Sequence, residues 1–184
     1  MRAVASGELD LTVTAFWDTA PAVPEHVRVH PLLDDPVVLV MPDDHLLATR
    51  QPHQVAIPLS LLRDEAWVTI RAGHAARAQF DRAAAAAGFA PKIRFETESY
   101  DVAQALVTTG IGVALVSCLA LTRLRGTTHR SLTPVGQHDH LHRQFYAVTP
   151  ADTTLTPLVP VFLQFLRDVA TDISTTLENR TANP

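Results

Sequence analysis

The sequence predicts an α/β fold, and three observations predict it. Strand-like runs at residues 67–70, 92–97 and 113–116 are short, and the first and last are apolar enough to be buried. Between them lie helix-forming stretches with clear stops, Gly88 after an alanine-rich segment and Gly110 after residues 99–109. Strand, helix and strand in alternation imply parallel strands with right-handed crossovers and ligands at the carboxyl ends of the strands.

The elements follow in order. Residues 9–14, LDLTVT, alternate apolar and polar as a strand does, after a turn at Gly7. Residues 27–42, VRVHPLLDDPVVLVMP, form a long extended stretch with a break at Asp34, Asp35 and Pro36. A short helix at 59–62 precedes the Trp67 strand. The segment HAARAQFDRAAAAAGFAP is helical up to Gly88 and leads into the strand KIRFET. Ser99 can cap the next helix, whose apolar face is Val102, Ala105 and Leu106, and the strand from Val113 follows at once. Residues 143–149 are a further strand. Thr156 caps a closing helix with Pro157 at its first position, and Leu158, Phe162, Phe165, Leu166, Val169, Ile173 and Leu177 recur at steps of three and four as a core-facing stripe.

Composition bounds the function. A chain of 184 residues, 47% hydrophobic and 18% charged, is globular and large enough for one domain or two small lobes. No apolar run approaches the roughly 18 residues of a membrane span, so no membrane role is expected. No secretory signal is visible, and the single Cys118 cannot form an internal disulfide, which fits a cytoplasmic protein. A net charge of −4, with Lys92 the sole lysine, argues against a nucleic-acid surface on this chain.

GELDLTV, HPLLDDPVVLVMPDDHLLA, LRDEAWV and AGFAPKIRFETESYDVAQALVTTGIGVALV, in this order and spacing, resemble the effector-binding domain of LysR-type transcriptional regulators. The resemblance implies the two-lobed α/β fold of type II periplasmic binding proteins, with a small-molecule effector between the lobes. Asp34 to Pro36 would be the first hinge. Lobe II would then be residues 36–132 and lobe I residues 1–35 and 133–184. In the family, a DNA-binding helix-turn-helix, a linker helix and the first elements of lobe I precede the GELDL segment. On that mapping lobe I is incomplete at its N-terminus, and DNA would be met only through a domain this chain does not carry. A homo-oligomer is expected, because the strand at residues 9–14 would lack a neighbour and present an open edge. The closing helix would then also be partly exposed.

The resemblance and the topology place the effector at four points: Thr14 and Phe16 after the first strand; Thr69, Arg71 and His74 after the Trp67 strand; Ser99 and Tyr100 at a helix start; and Ser117 at the end of the Val113 strand. Helix starts favour an anionic group, which Arg71 could pair. Each residue also has an ordinary reading: Ser99 as a cap, Arg71 as a solvated charge, Tyr100 as packing. His138, His140 and His142 alternate as three imidazoles on a zinc ion could, but in a variable connection they read as solvated residues, so no metal is expected. Cys118 lacks a partner thiol, and Asp34 and Asp35 point to opposite faces of an extended strand, which argues against a catalytic pair. Gly110 and Gly112 form a cap and a strand start rather than a dinucleotide fingerprint. No nucleophile beside a base is visible, so neither catalysis nor a cofactor is expected. A rival reading is a protein–protein module that joins intact regulators without sensing a ligand.

Overall fold

The computed structural model describes residues 1–17, 23–122, 124–133, 141–151 and 156–182, the last four of these by backbone alone. The chain divides into two compact units: residues 1–35 with 143–178, and a second built on residues 36–142. Two strands run from one unit into the other, β2 (Val27–Pro42) at Asp35/Pro36 and β8 (His142–Pro150) at His142/Arg143.

The second unit is the α/β layer that the sequence predicts. It contains β3 (Ile57–Pro58), β4 (Ala66–Ile70), β5 (Lys92–Thr97), β6 (Val113–Ser117) and β7 (Thr127–Thr133), with α2 (Leu46–Arg50), α3 (Ala75–Ala86) and α4 (Tyr100–Thr108). β4 pairs parallel with both β5 and β6, and β6 pairs antiparallel with the second half of β2, Val37 opposite Ser117. Alternate residues of β2, β4 and β6 face opposite sides. Leu39, Met41, Trp67 and Val113 join Phe80, Ala83 and Ala84 of α3 on one side. Val40, Val68 and Ala114 join Ala103 and Val107 of α4 on the other. A sheet covered on both faces requires unbroken apolar strands, which is why those segments do not alternate in sequence. Trp67 meets Phe80 at 4.6 Å between ring centroids, and burying such a pair contributes several kcal/mol. Gly88 at φ +83° ends α3 in the left-handed conformation that a side chain would resist.

The first unit holds α1 (Arg2–Ala5), β1 (Thr12–Phe16), the first half of β2, β8 from Arg143 on, and α5 (Leu158–Ala182) as far as Glu178. Its strand order is β1-β8-β2. β1 pairs antiparallel with β8, Thr14 opposite Tyr146. Val4 of α1 packs with Val27 and Val148.

Three expectations are corrected. The first strand runs over Thr12–Phe16 and not residues 9–14, because Glu8 and Leu9 donate their amides to Ala3 O and so finish the turn after α1. Asp34, Asp35 and Pro36 do not break β2, which is one strand of 16 residues. The stripe on the closing helix is not core-facing over most of its length: Leu158 is 76% exposed and Phe165 58%, while Val159, Leu163, Ala170 and Leu177 are buried. α1, α2, β3 and β7 were not foreseen in the sequence.

Candidate functional site

The carboxyl ends of β6, β4 and β5 lie side by side at one end of the second unit's sheet. β4 ends at Ile70, and Arg71 prolongs the ladder by donating its amide to Thr97 O at 2.9 Å. The Arg71 guanidinium turns to Glu98, Nε to Oε1 2.6 Å, with both side chains well exposed. His74 caps α3, its Nδ1 accepting from Ala76 N at 3.4 Å. Thr69 is buried and donates its hydroxyl to Ile70 O.

β5 delivers Thr97, whose Oγ1 accepts from Ser99 N at 3.2 Å. Ser99 stands at the N-cap of α4 in extended backbone, its carbonyl accepting from Ala103 N, but its hydroxyl makes no cap bond. The first-turn amides of α4 therefore lack the side-chain acceptor that a capping serine usually supplies. Asp101 adds a negative charge in the same turn. Tyr100 is half-buried against the cluster of Val40, Val68 and Ala103, so much of its ring is packing. Ser117, at the end of β6, is fully buried.

Arg71, His74, Ser99, Tyr100 and Ser117 thus occupy the loops and ends along one edge, with Thr69 buried just below. Thr14 and Phe16 belong to the first unit, where both are half-buried and Phe16 tilts against Tyr146 at 5.8 Å. His138 and His140 lie outside the described residues, and His142 opens β8.

Two arrangements escaped sequence reasoning. Gln104 of α4, 1% exposed, donates Nε2 to Ala120 O at 2.9 Å and to Tyr100 O at 3.1 Å, and its Oε1 accepts from Thr122 N at 2.8 Å. It ties the loop after Ser117 to α4 and so fixes the spacing of two of the edge's loops. In the first unit the fully buried Asp35 Oδ2 accepts from Arg143 Nη2 at 2.8 Å and Nε at 3.1 Å. The guanidinium lies 4.7 Å from the Phe145 ring centroid and 5.2 Å from that of Trp17. Asp35 and Arg143 are the first unit's last residues before each strand crosses, so this pair joins the two strands where they leave it. The Asp-Asp-Pro sequence carried a signal for Asp35, a carboxylate inside an otherwise apolar run. Nothing local marked Arg143 as its partner.

The profile of the LysR substrate binding domain matches residues 1–171. The chain belongs to this family. Two curated relatives are Bacillus subtilis regulators. The uncharacterized HTH-type transcriptional regulator YcgK is 27% identical over 128 residues, 62% of this chain and 38% of YcgK. The HTH-type transcriptional regulator CysL is 30% identical over 91 residues, 50% of this chain and 29% of CysL. The LysR-family chain therefore spans well under half the length of these relatives. Among solved structures, the CcmR regulatory domain of Synechocystis PCC6803 in complex with 2-PG is 22% identical with a TM-score of 0.68, over 92% of this chain and 77% of that one. The Corynebacterium glutamicum OxyR C206 mutant is 19% identical with a TM-score of 0.70, over 97% and 53%. The effector-binding domain of QuiR in complex with shikimate is 17% identical with a TM-score of 0.64, over 93% and 76%. The fold is the two-lobed periplasmic-binding-like one. No helix among the described residues is long and apolar enough to cross a membrane.

Proposed function

We propose that the chain is the ligand-sensing part of a LysR-type regulator, acting in the cytoplasm without catalysing a reaction, and that its effector is a small metabolite carrying one carboxylate. The observation that carries this reading is the start of α4. There a helix start whose Ser99 hydroxyl makes no cap bond sits on the carboxyl edge of a parallel sheet, beside an arginine. Such an end receives an anion through directed N–H groups and the helix dipole. Arg71 is engaged with Glu98, but an ion pair this exposed is worth about 0–1 kcal/mol, so exchanging Glu98 for a ligand carboxylate costs little. Asp101 opposes anions in the same turn and so favours a singly charged group over a multiply charged phosphate. On this reading Thr69, His74, Tyr100 and Ser117 shape the site at the carboxyl edge of the second unit's sheet, and Thr14 and Phe16 are candidate ligand contacts of the first unit. The complexes of CcmR with 2-PG and of QuiR with shikimate support a small-molecule role. Contact with DNA falls to a helix-turn-helix domain of the intact regulator.

Thermal-shift screening of organic acids and amino acids on this chain tests the proposal. A ligand at 100 times its Kd adds about 2.7 kcal/mol to stability. Ser99→Ala and Arg71→Ala are expected to weaken a hit by roughly tenfold each, the scale of a charge-assisted hydrogen bond, and Asp101→Asn to tighten it. A hit indifferent to all three substitutions would sink the assignment. The alternative, a protein–protein module that senses nothing, is favoured by the exposed apolar face of α5. It predicts that no acid in the screen stabilises the chain.

A further inference from the structure

Arg130 stands in the middle of β7 with only 1% of its surface exposed. Leu39 and Met41 of β2 lie opposite Arg130 and Thr128, so both β7 side chains point to the face on which the α3 core is built. The guanidinium reaches α2 there. Nη2 donates to Ala48 O at 3.0 Å, and Nη1 is shared among Thr128 Oγ1 at 3.2 Å, His129 O at 3.2 Å and His53 Nδ1. Nε is buried and donates to nothing among the described residues. All of these acceptors are neutral, whereas a buried cation normally needs a carboxylate. Arg143 shows the usual solution: the same pair of nitrogens, Nε and Nη2, grips Asp35. Arg77 also loses by burial, but Asp81 and Glu96 more than restore its pKa; burial alone acts on Arg130 and holds its pKa below the usual guanidinium value. The carbonyls that end α2 offset part of the charge, roughly half for a full-length helix and less for one of five residues. Most of a positive charge is left without a counter-charge, and what covers it is a turn. Pro52, His53, Gln54 and Val55 are all exposed, with Val55 N donating to Pro52 O at 3.1 Å.

We propose that Arg130 and Thr128 form the floor of an anion site, which takes a small oxyanion, a carboxylate or inorganic phosphate, in the place that the His53 imidazole fills here. The imidazole is the removable wall: it rides on an exposed turn, and it gives Nη1 only a neutral acceptor. An oxyanion in its place makes a charge-assisted bond, roughly twice as strong as a neutral one, and supplies the counter-charge that the cluster lacks. Thr128 Oγ1 accepts from Nη1 and keeps its own hydrogen, so it offers the second donor that an anion with two or more oxygens can use. The site is separate from the carboxyl edge of the sheet. Ser117 pairs with Val37 at one end of this part of β2, while α2 follows the other end, where Pro42 pairs with Thr127. This inference does not rest on effector sensing at the start of α4, and holds or fails whether or not an effector is found there.

Thermal unfolding of this chain at neutral pH in sodium acetate, sodium phosphate or sodium chloride, matched in ionic strength, tests the site. Acetate or phosphate is expected to raise the midpoint saturably, by roughly a few °C at about ten times its Kd, and chloride by less. His53→Asn keeps a neutral acceptor beside Nη1 and is expected to keep the response. His53→Asp brings a carboxylate oxygen to where Nδ1 stands. It is expected to melt above the wild type in chloride and to gain nothing further from acetate or phosphate. Arg130→Met is expected to lose the response too, and if that variant does not fold, His53→Asp decides alone. Ser99→Ala, at the start of α4, is expected to leave the response unchanged. A wild type indifferent to both oxyanions overturns the proposal, as does a rise that His53→Asp retains in full, the mark of a bulk salt effect. A rise abolished by Ser99→Ala overturns it as well, by placing the anion at α4, and an equal response to chloride overturns the choice of an oxyanion.

Discussion

Asp35 is a carboxylate with no exposed surface, and a charge taken that far from water is retained only with a partner of matched geometry. Arg143 supplies two nitrogens to one carboxylate oxygen and is itself flanked by the Phe145 and Trp17 rings. Breaking such a pair from one side leaves the other charge uncompensated, so Asp35→Ala and Arg143→Ala are each expected to cost about 3–5 kcal/mol. The double variant should cost less than their sum, because the second substitution removes the charge that the first stranded. Urea unfolding of the four proteins measures this, and strict additivity would mean that the two groups do not stabilise one another.

His30 supplies a pH dependence. Its Nε2 lies 3.1 Å from Thr149 Oγ1, and burial first, then the charges of Arg167 and Arg28, hold its pKa below the ordinary 6.5. The unfolded chain therefore takes up a proton that the folded chain refuses. The sign follows: the contribution of neutral His30 is complete above about pH 6.5 and is lost as pH falls toward the folded pKa. His30→Gln has no such proton to refuse, so on going from about pH 7.5 to about pH 5.5 the wild type should lose stability relative to the variant. Parallel denaturation midpoints for the two proteins over that range would refute the assignment.

At the scale of elements, legibility followed burial. The end residues of β2 were readable, though the break expected at Asp34 to Pro36 is not there, and β4, α3, α4 and β6 were nearly so, because a sheet covered on both faces writes apolar strands and its helices end at glycines. α2 and β3 escaped because five and two residues carry no period, and β7, TTHRSLT, because it is held by neighbours on both sides more than by its own apolar content. The closing helix shows the limit of the method. Periodicity locates an apolar stripe but does not say which of two stripes the rest of the chain covers, and in α5 the larger residues are the uncovered ones. The candidate site was legible as strand ends, since topology alone places the loops after β4, β5 and β6 together. The Arg71–Glu98 pair and the Gln104 clamp were not, because each depends on side-chain directions that spacing leaves open.

For the whole molecule, charge separates the sensing role from the DNA-binding role of a regulator. The chain carries 15 Lys and Arg against 19 Asp and Glu, and several of those cations are already engaged: Arg71 with Glu98, Arg77 with Asp81 and Glu96, Lys92 with Asp64, Arg143 with Asp35. Binding to duplex DNA at moderate salt draws most of its free energy from counterions released as free Lys and Arg meet phosphates. An acidic chain, with Arg71, Arg77, Lys92 and Arg143 paired to its own carboxylates, has less of that to offer and brings a net negative charge to the duplex. In a mobility-shift assay at moderate salt this chain is therefore expected to leave a duplex unshifted, with or without a ligand found by thermal shift. A sequence-specific complex that weakens steeply with added salt would show a phosphate-binding surface on this chain itself, and would move the DNA-reading function into the sensor.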